Sequence, residues 1–123
     1  MSKELLLTAY ERGWNAHDPD ACAACFTPDG VRVSLVRDAP PAAAGRDAIR
    51  EGIALAMATL AELALEVVAV GYASDRRLWT EWRVTGTPGA SDVPLEIPGV
   101  SVFRISNAGF VEERVYWDSA SAR

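Results

Sequence analysis

"VSVFRISNAGFVEERVYWD", residues 100–118, holds two alternating runs either side of the turn-forming quartet Ser106, Asn107, Ala108 and Gly109. Alternation with a Gly-containing turn between is the pattern of a β-hairpin. The second arm has an unusual composition, with three acids, an arginine and two large aromatics in eight residues, 111–118. Side chains alternate along a strand, so Glu112, Arg114, Tyr116 and Asp118 share one face and Val111, Glu113, Val115 and Trp117 share the other. The residues alone leave two assignments open. The first set is the polar wall of a cavity, or the second, more apolar set is an ordinary core face with the charges outside as cross-strand pairs or at a dimer surface.

Working outward from the hairpin, strand follows strand. "LALEVVAVGYA" (63–73), the turn "SDR", "RLWTEWRVTG" (77–86), a loop and "LEIPGVSVFRI" (95–105) precede the final arm. Upstream the period changes to that of helices. Residues 2–16 place Leu6, Tyr10 and Trp14 on one stripe behind the N-cap Ser2, and Asp18 and Pro19 open a short second helix that ends before Pro28 and Gly30. "VRVSLVR" (31–37) reads as a strand, and 46–60 as a third helix with Ile49, Ile53 and Met57 on one face. The fold class expected is α+β: a curved antiparallel sheet wrapped around three N-terminal helices, cone-shaped and enclosing a cavity where inward side chains fail to fill it.

The chain has 123 residues, which suits one domain, 1–123. Its net charge is −5 with scattered arginines, so nucleic acid and anionic membranes are not expected partners. The longest apolar stretch is broken by Glu62 and Glu66, and the N-terminus has no cleavable apolar segment, which points to the cytoplasm. Cys22 and Cys25 form a CxxC, but the sole histidine is His17 and the pair lies in a helical pattern. They read as small buried helix residues, with no metal and no cofactor expected. His17 reads as a solvated or capping residue, and Glu81 and Arg83, which share a strand face, as pairing across the sheet. Arg32, set between valines, is either outward or a buried cation that needs an acid such as Asp118.

With "WNAHDPDACAACFTPDG" (14–30), "GRDAIREGI" (45–53), residues 100–118 and this order of elements, the chain closely resembles the SnoaL-like branch of the nuclear transport factor 2-like superfamily. The resemblance implies a cone-shaped barrel with a deep apolar cavity, and a homodimer formed through the outer face of the sheet. It leaves activity open, because such relatives include cyclases, isomerases, epoxide hydrolases, dehydratases and binding proteins. Against the ketosteroid isomerase pattern, Tyr10 matches the hydrogen-bonding tyrosine while Ser34 and Ser101 stand where the base and the second acid belong. Against the epoxide hydrolase pattern, Asp118 matches one acid, and the strand that carries the other offers only Ser101 and Arg104. The cyclase pattern needs one carboxylate in a dry cavity, and Asp118 falls where the family carries its acid/base aspartate.

The resemblance therefore turns Asp118 inward, with Arg114 and Tyr116 beside it. The expected site has Asp118 and Arg114 as catalytic groups, and Tyr10, Trp14, Ser34, Trp82, Ser101, Phe103 and Tyr116 around the substrate. The expected activity is cofactor-free acid/base cyclisation or isomerisation of a small apolar or polyketide-like molecule. The rival expectations are a binding protein for a hydrophobic ligand and a dimer whose cavity is closed by bulky side chains.

Overall fold

The computed structural model describes residues 2–37, 39 and 41–118. Helix α1 (Lys3–Asn15) starts at Ser2, whose hydroxyl accepts from the Leu5 N–H at 3.2 Å, and buries Leu6, Leu7, Tyr10, Gly13 and Trp14. These positions recur every three or four residues and so form one apolar face. Helix α2 (Pro19–Ala24) begins at Asp18, which accepts from the Ala21 N–H at 3.0 Å. A Cβ at Gly13 would stand 2.9 Å from Cys22 Sγ, so only glycine lets α2 rest this closely on α1. Helix α3 (Arg46–Thr59) buries Ile49 and Ile53.

Six strands follow from β1 (Phe26–Ser34) and β2 (Ala43–Ala44) through β3 (Leu60–Ser74), β4 (Arg77–Pro88), β5 (Leu95–Ser106) and β6 (Gly109–Trp117). They form one curved, unclosed sheet in the order β2-β1-β6-β5-β4-β3. Strands β3 to β6 are the expected antiparallel meander. The sheet as a whole is mixed, because β1 runs parallel to β6. Strand β1 also begins at Phe26, ahead of the Val31 start read from alternation. Pro28 and Gly30 interrupt that alternation, and a register break between Phe26 and Val31 absorbs them.

The helices cover one face of the sheet, and the core between them gathers Leu6, Tyr10, Trp14, Phe26, Ile49, Ile53, Leu78, Phe103 and Phe110. Tyr10 stands edge-on to Trp14, Phe26, Phe103 and Phe110, the geometry that aromatic quadrupoles favour. Edge strand β3 is covered by α1: the Asn15 amide donates to Leu65 O (2.8 Å) and accepts from Leu65 N–H (2.7 Å), as a neighbouring strand would. Glu11 accepts from Val67 N–H at 2.9 Å, and His17 donates through Nε2 to Leu63 O at 2.7 Å. In the hairpin, Arg104 pairs with Glu112 and Ile105 with Phe110, so Val111 is a surplus bulge residue. No helix among the described residues is long and apolar enough to cross a membrane.

Candidate active site

On β6 the inward face carries Glu113, 3% exposed, and Val115, also 3% exposed. Arg114 is exposed, and Tyr116 is 38% exposed on the opposite face, where the Arg114 guanidinium lies 5.9 Å from the Tyr116 ring centroid. Asp118 lies just past β6, exposed, in a shallow groove with Glu81, Pro98, Val100 and Tyr116. This corrects the inward orientation expected of Asp118, Arg114 and Tyr116. The physical reason is hydrophobic: Val115 belongs to the opposite parity and is drawn into the core, which carries Glu113 in with it.

Glu113 is buried because its carboxylate is fully matched. Its Oε1 accepts from the Tyr10 hydroxyl at 2.6 Å and from Arg32 Nε at 2.9 Å, and its Oε2 accepts from the Ser101 hydroxyl at 2.7 Å. The indole Nε1–H of Trp82 donates to Ser101 Oγ at 2.9 Å. An indole N–H can only donate, so this contact directs the Ser101 hydrogen toward Glu113. Trp82 is itself seated on Gly99, its partner across the strand pair, where a Cβ would come within 2.3 Å of the ring.

Burial, and then the Glu113 charge, hold the Tyr10 phenol well above its ordinary value, so it stays protonated as a donor. Withdrawal from water works against the Arg32 charge, but Tyr10 and Glu113 outweigh it and hold the guanidinium above its ordinary range. The Arg32 side chain is 20% exposed and sits 5.5 Å from the Trp14 ring centroid. The cation that the sequence left without an assigned acid therefore has one, and it is Glu113 instead of Asp118.

These groups line a partly open cavity of about 60 Å³ between α1 and the sheet. Leu7, Leu65, Val67, Val84 and Phe103 make its apolar walls, with Glu11 and Thr80 as further polar members. Five of the residues expected at the site, Tyr10, Trp14, Trp82, Ser101 and Phe103, are brought together here. Ser34 does not line the cavity; it stands half-buried at the end of β1. Glu113 and Thr80 were not singled out from sequence. The signals that point to them are Glu113 sharing parity with Val115, and Thr80 sharing parity with Leu78 and Trp82.

The Cys22 and Cys25 thiols are free and buried, raised to about 12 and about 11 chiefly by burial. Groups that could hold a metal ion are absent among the described residues. Arg83 pairs across the sheet with Glu96 on β5 at 3.1 Å and Glu66 on β3 at 3.7 Å.

A curved sheet closed by helices over a buried acid defines a cavity protein of the ketosteroid isomerase-like architecture. The chain belongs to the SnoaL-like domain family, whose model matches residues 7–113. Among solved structures, a protein with a ketosteroid isomerase-like fold from Catenulispora acidiphila, in complex with trimethylamine, superposes with TM-score 0.87 at 19% identity over 98% of this chain and 90% of that one. A candidate polyketide cyclase from Xanthomonas campestris gives 0.81 at 20% identity over 97% and 92%. A candidate SnoaL-like polyketide cyclase from Jannaschia gives 0.79 at 19% identity over 97% and 86%. At these identities the likeness is one of fold. No curated protein matches the sequence.

Proposed function

We infer that the protein is a cofactor-free acid/base enzyme of the SnoaL-like type, with Glu113 in the role that the sequence pattern gave to Asp118. The observation that carries this is a carboxylate, 3% exposed, set into the wall of a largely apolar cavity. Oε1 already accepts two hydrogen bonds and Oε2 one, so Oε2 is the oxygen with a lone pair to offer. In this reading Oε2 takes a proton from a carbon next to a carbonyl, and the electron pair moves onto the carbonyl oxygen. Arg32 engages Glu113 through Nε, leaving its Nη hydrogens for the resulting oxyanion. The carboxylic acid then returns the proton, to carbon in an isomerisation. In a cyclisation the enolate carbon attacks a second carbonyl of the same molecule, and the proton goes to the new alkoxide.

A cavity of about 60 Å³ is well below the roughly 300–1,000 Å³ of sites that engulf a drug-sized ligand. The substrate is accordingly a small apolar molecule, or the reacting end of a polyketide-like one. A homodimer through the outer sheet face and a cytoplasmic location complete the proposal.

The test is deuterium exchange next to the carbonyl of 3-methylbutan-2-one in D₂O, followed by NMR. Wild type should accelerate exchange over buffer; Glu113→Gln should lose about a hundredfold or more of that acceleration. Asp118→Asn should retain it. Equal exchange by wild type and the Glu113→Gln variant would sink the proposal. The ion pair that ties Glu113 to Arg32 favours a second reading, a binding protein for small apolar ligands, which predicts saturable ketone binding with no exchange.

A further inference from the structure

The cavity wall holds three hydroxyls, those of Tyr10, Thr80 and Ser101. Tyr10 and Ser101 both donate to Glu113. Thr80 is 2% exposed as a residue and its hydroxyl makes no hydrogen bond among the described residues; since no fully buried side-chain N or O there lacks a partner, that hydroxyl opens on the cavity. It sits on the inward face of β4, paired across the sheet with Ser101 and two residues from Trp82. A hydroxyl that opens on the cavity and has no partner in the protein is left for whatever fills the cavity to bind.

The charges of the site narrow what that is. Arg32 and Glu113 cancel each other, and the Glu11 carboxylate accepts from the Val67 N–H. The remaining walls are apolar. An anion entering would meet Glu113 with its cation already committed, and a cation would meet Arg32 in the same way; either would shed its hydration for no net partner.

We propose that Thr80 is the specificity-determining contact of this cavity, anchoring by hydrogen bond the uncharged, oxygen-bearing head of a small molecule. The proposal deepens the acid/base reading by naming what holds the substrate in reach of Glu113. It concerns binding, so it is tested without turnover.

The probes are 3-methylbutan-2-one and its charged isostere 2-methylpropanoate, titrated against the indole N–H resonances of Trp14 and Trp82, both in the cavity wall. The ketone should shift these resonances saturably. Thr80→Val, which keeps shape and removes the hydroxyl, should raise its Kd about three- to tenfold. Thr80→Ser, which keeps the hydroxyl, should stay within about twofold of wild type. The carboxylate should bind about tenfold more weakly than the ketone or worse. Unchanged ketone affinity in Thr80→Val, equal affinity for the carboxylate, or no saturable shift with the ketone would each overturn the proposal. Because exchange at carbon is read separately in the Glu113→Gln variant, loss of either result leaves the other standing.

Discussion

Glu113 and Thr80 are both polar groups in a dry wall, and they meet opposite fates. Glu113 is matched by three donors, whereas Thr80 has none among the described residues. Stability and binding should therefore part company at Thr80. The Thr80 hydroxyl opens on the cavity and makes no hydrogen bond within the protein, so Thr80→Val should melt within a few degrees of wild type even as its ketone affinity falls. A melting temperature far below wild type would show that the hydroxyl is satisfied within the protein. The same pair shows what could be read from sequence. Tyr10, Trp14, Trp82 and Phe103 were legible because large or aromatic side chains at regular spacing must pack inward, and Ser101 because it stands where the family pattern places a second acid. Glu113 was not, because the motif ending in Asp118 turned the face containing Arg114 and Tyr116 toward the cavity. The apolar weight of Val115 on the other face decides the question physically, and it carries an acid along.

The meander β3 to β6 and the three helices were legible because each keeps one period throughout. The parallel pairing of β1 with β6 was not, since it joins segments some eighty residues apart and depends on how Pro28 and Gly30 break the strand. Equally hidden was the covering of edge strand β3, which Asn15 provides from a helix by imitating a peptide group. Two hydrogen bonds depend on that one side chain, so Asn15→Ala should cost about 1–2 kcal/mol. Because the bonds are local, hydrogen exchange at the Leu65 amide should speed up by more than at amides in the centre of β5. Uniform acceleration across the sheet would show that the amide acts only through global stability.

At the scale of the fold, burial in the core holds Tyr10, Cys22 at about 12 and Cys25 at about 11 above their ordinary values. In the unfolded chain the thiols lose their protons near 9 and the phenol near 10. Above about pH 9 the unfolded chain thus binds fewer protons than the folded one, and stability falls with rising pH. The contribution is complete below about pH 9 and is lost progressively as the pH rises through 11 toward 12. The urea midpoint should accordingly decline above pH 9, and a midpoint flat to pH 11 would contradict these burial effects.

The extra residue at Val111 has a bearing on how the acid came to be indoors. Omitting it would leave Ile105 opposite Phe110 and Arg104 opposite Glu112 as successive rungs, with Glu113 still aimed at the aromatic cluster. Losing any one residue between Glu113 and Trp117 would instead rotate the remainder of the arm by half a turn. The hairpin therefore tolerates a change of length at one end only, and the end that cannot give is the one that holds the carboxylate.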